Sequence, residues 1–102
     1  MDKITNITPG EILLEEFLKP LKISAYKLAK DTNMPATRIS QILKGKRRIT
    51  ADTALRLSKY FGNSADFWMG IQDEYDLREE SQKINAELKR ILKVSNLYSL
   101  QN

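Results

Sequence analysis

The chain of 102 residues contains neither cysteine nor histidine. The absence of cysteine excludes disulfides and thiol chemistry, and the absence of both residue types excludes ordinary zinc sites and His-based catalysis. Among the remaining side chains, carboxylates are the candidates for binding a metal or for catalysis. The densest group of them, Asp73, Glu74 and Asp76, is interpreted as the solvated face of a helix. We therefore expect no catalytic site, no metal site and no cofactor.

Long apolar runs are also missing. No run approaches the roughly 18 residues that a membrane span needs. The N-terminal stretch MDKITNITPGE lacks the apolar core of a signal peptide. These absences predict a cytoplasmic protein with no membrane association. The length predicts one compact domain with a single core.

Basic residues are concentrated in the middle of the chain. Residues 1–18 carry one basic and four acidic side chains (net −3), residues 19–60 carry eleven and two (net +9), and residues 61–102 carry five and seven (net −2). Solubility does not require such a concentration, whereas a polyanionic partner favours it. The charge pattern therefore predicts a nucleic-acid partner; a solvated basic face without a partner is the alternative.

Apolar residues recur at helical spacing, and no segment alternates as a strand does. For the first helix, Thr8 and Glu11 have the spacing of a capping box around Pro9, and Pro20 is expected to end it. Later helices are expected to begin at Ser24, Pro35, Thr50 and Ser64 and to end at residues 31–33, Gly45, Gly62 and beyond Tyr75. The pattern predicts an all-α fold of five helices, followed by an amphipathic tail helix with Ile84, Leu88, Ile91 and Leu92 on one face.

The second and third predicted helices are short, lie in the basic segment and are joined by a tight turn, as in a helix-turn-helix. Such a motif inserts the N-terminal half of its second helix into the major groove of DNA. In the third helix Ile39, Ile42 and Leu43 form the inward face. The residues predicted to read bases are Ala36, Thr37, Arg38 and Gln41.

Phosphate contacts are expected on both sides of this helix. The chain leaves the third helix through a basic loop, and the N-terminus of the second helix offers free backbone N–H groups. The residues predicted to contact phosphates are Ser24, Tyr26, Lys44, Lys46, Arg47 and Arg48.

The segment from residue 22 to residue 62 resembles the helix-turn-helix of the lambda-repressor-like (XRE) regulators, with Leu28-Ala29, Met34, Ile39, Ile42-Leu43 and Gly45 in that family's core pattern, and the match spans roughly residues 10–62. The stretches ITPGEILLEEFL and NSADFWMGIQDEYDLR extend the likeness to the HigA/VapI group of plasmid-maintenance antidote proteins. Their landmarks are Pro9-Gly10-Glu11, Phe67-Trp68, Gln72 and Tyr75-Asp76-Leu77. One departure is Pro35, which stands where the family more often has the Ser or Thr of an N-cap.

The resemblance implies a five-helix lambda-repressor-like DNA-binding domain over residues 1–79; residues 80–102 are predicted to form a helical extension and a frayed tail that begins at Ser95. It implies an antitoxin that binds double-stranded operator DNA as a homodimer, represses its own operon and neutralises a HigB-type, RelE-like mRNA-cleaving toxin. A stand-alone repressor without a toxin is one alternative. A protein-interaction adaptor that has lost DNA binding is another, which the +9 segment argues against.

A contact with a second copy or a partner protein is expected on the C-terminal side of the chain. The tail face can pack on its own domain, pair across a dimer or bind a toxin, and a protein contact is favoured because the five-helix core is already complete. The candidate dimer or partner residues are Trp68, Ile84, Leu88, Ile91 and Leu92, with core packing as the alternative for Trp68.

Overall fold

The computed structural model describes residues 6–95, and within that range the fold is six helices without a strand. The first helix, α1, covers residues 9–21, and its middle part Leu13–Leu18 is π-helical. The others are α2 (Ala25–Thr32), α3 (Ala36–Leu43), α4 (Ala51–Phe61), α5 (Ala65–Lys83) and α6 (Asn85–Leu88). The predicted all-α class is confirmed. No helix within residues 6–95 is both long and apolar enough to cross a membrane.

Local capping chemistry sets three of the helix starts, as predicted. Thr8 and Glu11 form the reciprocal capping box of α1, with Oγ1 of Thr8 accepting from the backbone N–H of Glu11 at 3.1 Å. Ser24 caps α2 and Ser64 caps α5 through the same kind of bond. Thr50 occupies the N-cap of α4, but its side chain makes no capping bond.

Pro20 does not end α1. The helix continues to Leu21, and the chain leaves it at Lys22, which has left-handed backbone geometry with φ of 57°. A proline inside a helix removes one hydrogen bond and crowds the carbonyl four residues earlier. The wider π-helical turns that precede Pro20 accommodate this change locally.

The core lies where helices α1, α2, α3, α4 and α5 meet, and its largest member is Trp68. Its ring is packed against Phe17, Phe61 and Phe67, at centroid distances of 4.8, 5.9 and 5.0 Å. Its Nε1 donates to Oδ1 of Asn63 at 2.9 Å. Because 0% of Trp68 is exposed, its side chain belongs to the core, and the prediction that it contacts a second copy or a partner is corrected.

Over residues 80–95 the C-terminal extension is partly helical but less continuous than predicted, and the predicted frayed end lies outside the described residues from residue 96 onward. Helix α5 runs unbroken across residues 79 and 80, where the domain was expected to end, and stops at Lys83. After a break at Ile84, α6 is a single turn. Ile84 is half-buried, whereas Leu88 is 42% and Ile91 71% exposed, and Leu92 is also exposed. A short helix with little surface to pack on is only marginally stable, which explains why α6 is a single turn.

A candidate nucleic-acid interface

The third helix presents the face that the sequence predicted. Ile39 and Ile42 are buried, and Leu43 is half-buried against the core. The opposite face is exposed and carries Ala36, Thr37, Gln41 and Lys44. Asn33, with φ of 56°, makes the sharp turn between α2 and α3. The arrangement is a helix-turn-helix whose second helix is short and has an exposed, polar face.

Arg38 departs from this face. Its Nη1 donates to Oδ2 of Asp52 at 2.5 Å and to Oγ1 of Thr53 at 3.4 Å, both at the start of α4. Only 24% of the Arg38 side chain is exposed. The guanidinium is therefore held at the start of α4, and a bidentate base contact by Arg38 is favoured when this ion pair opens.

A second arginine ties α4 to the turn of the motif. Nε of Arg56 donates to the same Asp52 oxygen at 3.0 Å. Its Nη1 donates to the backbone carbonyls of Thr32 and Asn33, at 3.0 and 3.3 Å. These carbonyls end α2 and would otherwise lack partners. Sequence reasoning missed this network, since Asp52 and Arg56 showed only the spacing of an ordinary i, i+4 pair.

The pKa of the Asp52 carboxyl is lowered below its usual range, chiefly by the hydrogen bond from Arg38 and next by that from Arg56. A depressed folded-state pKa means that the ionised carboxylate stabilises the fold above its unfolded pKa. That contribution is lost as the pH falls through the folded pKa.

We expect Arg38→Ala to move the pKa of Asp52 upward, toward the usual value for aspartate, and Arg56→Ala to move it less. Carboxyl-carbon NMR titration of each variant measures this directly. Asp31 is the internal control, because its own lowered pKa depends on Tyr60 and Lys27 and should not change. An Asp52 titration that is the same in wild type and Arg38→Ala would contradict the ion pair.

The basic loop after α3 is held by its backbone. The N–H of Gly45 donates to the carbonyl of Ile42 at 3.0 Å, and the N–H of Lys46 donates to that of Gln41 at 2.8 Å. These two bonds, with Gly45 at φ of 75°, form a Schellman motif. A Cβ at Gly45 would also lie 3.3 Å from Cγ2 of Thr8, so glycine suits this position for two reasons.

Side chains of helix α5 also anchor this loop. Gln72 is buried, and its Oε1 accepts from the backbone N–H of Ile49 at 2.7 Å. Its Nε2 donates to Asp76 at 2.9 Å, and the other Asp76 oxygen accepts from Arg48. The interpretation of Asp76 as part of a solvated acidic face is therefore wrong, because it orients the loop. In the sequence, Gln72 stood out only as a landmark of the family resemblance, and nothing indicated that Gln72 and Asp76 act together on the loop.

The remaining predicted contacts are exposed. Lys44 and Lys46 form no ion pair within residues 6–95, while Arg47 donates to Gln41. At the start of α2, Tyr26 is 73% exposed and Ser24 uses its oxygen as the helix cap. Residues 6–95 contain no group of three or more His, Cys, Asp or Glu side chains arranged to hold a metal ion.

Known proteins share this architecture. The helix-turn-helix family model matches residues 14–68. Virulence-associated protein I of Dichelobacter nodosus is 50% identical over 82 residues, which are 78% of this chain and 76% of that protein. Antitoxin HigA of Pseudomonas aeruginosa, solved with the higBA promoter, has a TM-score of 0.82 and 37% identity over 88% of this chain and 98% of its own. A HigA-family addiction module antidote protein from Coxiella burnetii has a TM-score of 0.81 and 43% identity, over 88% of this chain and 98% of its own.

Proposed function

Because this chain belongs to the family of helix-turn-helix regulators that includes the HigA antitoxins, we propose that it is an antitoxin and autorepressor. It binds the operator of its own operon as a homodimer and neutralises a HigB-type, RelE-like mRNA-cleaving toxin in the cytoplasm. Its relatives are DNA-binding regulators and antidotes rather than enzymes. The observation that carries the proposal is the exposed polar face of α3 beside an anchored basic loop.

The chemistry of that face supports direct base reading. Thr37 and Gln41 are exposed on the side of α3 away from the core. The small side chain of Ala36 lets the start of the helix approach the bases closely. Gln and Thr are suited to base edges in the major groove. Arg38 joins them when its ion pair with Asp52 opens on DNA. Phosphates are contacted from both ends of the motif, by Ser24, Tyr26, Lys44, Lys46, Arg47 and Arg48.

Substituting a base-reading residue and substituting a phosphate-binding residue should cause different losses of DNA affinity. Gln41→Ala should weaken operator binding by about 1–3 kcal/mol and relax the preference at one base pair, with little change on random DNA. Lys46→Ala should weaken both DNAs equally, and should reduce the slope of log K against log salt by about 0.9. Fluorescence anisotropy at several salt concentrations separates the two. Equal losses on both DNAs for Gln41→Ala would contradict its role in reading bases.

The homodimer is supported by the symmetry of operators read by helix-turn-helix proteins, whose half-sites lie about 34–36 Å, or a multiple of that, apart. The exposed apolar side chains of the tail, Leu88, Ile91 and Leu92, are the proposed contacts with a second copy, with the toxin as the second candidate. Ile84 stands at the break between α5 and α6 and joins this surface. A strictly monomeric footprint on operator DNA would contradict the dimer.

The decisive experiment co-expresses this chain, as bait, with the product of the neighbouring gene and then tests the complex on the promoter of the operon. We expect capture of a small basic protein whose toxicity the bait relieves, and tighter promoter binding than random-DNA binding. Promoter binding without a captured toxin would leave a stand-alone repressor. Capture without salt-dependent DNA binding would leave a protein-interaction adaptor.

A further inference from the structure

One acidic side chain contacts the helix that is proposed to read bases. Among residues 19–60, whose net charge is +9, Asp31 and Asp52 are the only acidic residues. Asp52 lies in the first turn of α4, and its Oδ2 accepts from Nη1 of Arg38 at 2.5 Å. We propose that this ion pair is an autoinhibitory contact, in which Asp52 competes with operator DNA for Arg38 and lowers the operator affinity of the protein. The inference rests on the proposed reading of operator DNA by α3.

A second arginine holds the carboxylate in place. Nε of Arg56 donates to the same Asp52 oxygen at 3.0 Å. Nη1 of Arg56 donates to the carbonyls that end α2, those of Thr32 and Asn33. Asp52 is therefore fixed at the start of α4, and Arg38 is the partner that must move when the pair opens. Because Arg56 still pairs with Asp52 after Arg38 has left, opening leaves no unpaired carboxylate.

The ion pair weakens Arg38 as a DNA ligand even though it does not use every donor. The Asp52 carboxylate takes Nη1, while Nε and Nη2 of the guanidinium keep N–H groups. Those groups belong to a cation whose charge is balanced by a carboxylate at 2.5 Å, so their attraction for phosphates and for electron-rich base edges is reduced. Arg38 gains its full attraction for DNA only when it leaves Asp52.

Competition of this kind lowers affinity by a predictable amount. When only a fraction of the molecules is ready to bind, the apparent affinity falls by that fraction. The side chains of Arg38 and Asp52 are 24% and 53% exposed, so the pair resembles other surface salt bridges, and opening it should cost about 1.5- to 5-fold in operator affinity. On random DNA Arg38 can remain paired, so the loss there cannot exceed the loss on the operator. The pair thus lowers affinity without adding specificity.

The test uses the full chain, a duplex that the wild type selects from a random-sequence library, and a random duplex of equal length. The affinities of wild type, Asp52→Asn, Arg38→Ala and the double variant form a double-mutant cycle. Asparagine removes the charge of Asp52 but keeps an oxygen that can accept from Arg56. Thermal denaturation followed by circular dichroism checks that each variant is folded, and Asp52→Ser replaces Asp52→Asn if that variant is not.

Asp31→Asn is the matched control for the loss of charge. It removes the other acidic side chain of the same basic segment, whose carboxylate pairs instead with Lys27 at 2.9 Å and accepts from Tyr60 at 2.7 Å. Neither partner lies on α3. Any gain in DNA affinity in Asp31→Asn therefore measures the removal of a negative charge alone.

We expect Asp52→Asn to bind the operator about 1.5- to 5-fold more tightly than the wild type, beyond any gain in Asp31→Asn. In the Arg38→Ala background the gain should shrink to that of Asp31→Asn, because the residue for which Asp52 competes is absent. An undiminished gain in that background would mean that Asp52 only repels DNA, and the inference would be wrong. Weaker operator binding in Asp52→Asn would also overturn it, since Asp52 would then orient Arg38 toward the base.

The ratio of operator affinity to random-DNA affinity provides a further check. It should stay the same or rise in Asp52→Asn, because the gain on random DNA cannot exceed the gain on the operator. A clear fall in this ratio would show that the ion pair contributes specificity, contrary to the inference. A wild type that selects no sequence from the library would instead overturn the proposed function.

Carboxyl-carbon NMR reports whether the pair opens on DNA. In the free proteins, the Asp52 signal should differ between wild type and Arg38→Ala, since only the wild type has the bond. With both proteins saturated by operator at low salt, the two signals should move closer together, because neither protein then has the bond. If the two signals differ as much on the operator as in the free proteins, Arg38 stays bound to Asp52 on DNA and the inference fails.

Discussion

Replacing Trp68 by alanine should lower the free energy of unfolding by about 3–5 kcal/mol. The indole is completely buried among Phe17, Phe61 and Phe67, and removing it leaves a cavity and unpairs the side-chain oxygen of Asn63. Small domains have a total stability of only about 5–15 kcal/mol, so this loss is a large fraction of the free energy of unfolding. Chemical denaturation followed by circular dichroism measures the change.

Two comparisons make this prediction specific. Trp68→Phe keeps an aromatic ring but lacks the hydrogen bond to Asn63. Its free energy of unfolding should fall clearly less than that of Trp68→Ala. Tyr26→Ala removes an aromatic side chain that is largely exposed, and its free energy of unfolding should stay within about 0.5 kcal/mol of the wild type. Equal losses in Trp68→Ala and Tyr26→Ala would mean that Trp68 is not the centre of the core.

Local chemistry made much of this fold predictable from the sequence. Thr8, Ser24 and Ser64 cap helices because a short side-chain oxygen can reach an N–H three residues later, and such contacts depend on nearby residues alone. The burial of Ile39 and Ile42 likewise follows from helical spacing. The family resemblance, confirmed by the helix-turn-helix match, added what the spacing could not, namely the kind of regulator.

Contacts between distant residues were not predictable. Helical spacing placed Arg38 on the outer face, but it could not show that α4 begins beside it and supplies Asp52, fourteen residues later. The same limit applies to Gln72, whose bond to Ile49 spans 23 residues. The tail helix is shorter than predicted because a packing partner is missing. Its apolar residues do recur at helical spacing, but an amphipathic helix is stable only when its apolar face packs on another surface. Within residues 6–95, Leu88, Ile91 and Leu92 remain exposed.

Among the four glycines of the chain, Gly10 is expected to be the position where a substitution by alanine is most damaging. A Cβ at this position would lie 1.8 Å from the carbonyl oxygen of Ile42, 2.7 Å from its carbonyl carbon and 3.1 Å from Cα of Leu43. All three are backbone atoms, so no side-chain rotation relieves the overlap, and α1 must move away from α3. We expect the free energy of unfolding to fall by about 1–3 kcal/mol or more, as for other overpacked sites.

Gly70→Ala is the matched control. Gly70 lies within α5, and no atom would approach a Cβ there within 4 Å. Since alanine is favoured over glycine inside a helix by about 0.5–1 kcal/mol, this variant should be more stable than the wild type. The same substitution should thus have opposite signs at the two sites. Two variants of equal stability would show that α1 does not pack closely on α3.

Gly10→Ala should also alter function, because Ile42 and Leu43 belong to the helix that is proposed to read bases. If α3 is displaced while the protein stays folded, contacts with base edges are lost before contacts with phosphates, since only the former need accurate placement. The ratio of operator affinity to random-DNA affinity, measured at a temperature where the variant remains folded, should therefore fall. An unchanged ratio would mean that α1 supports the stability of the motif without positioning its reading helix.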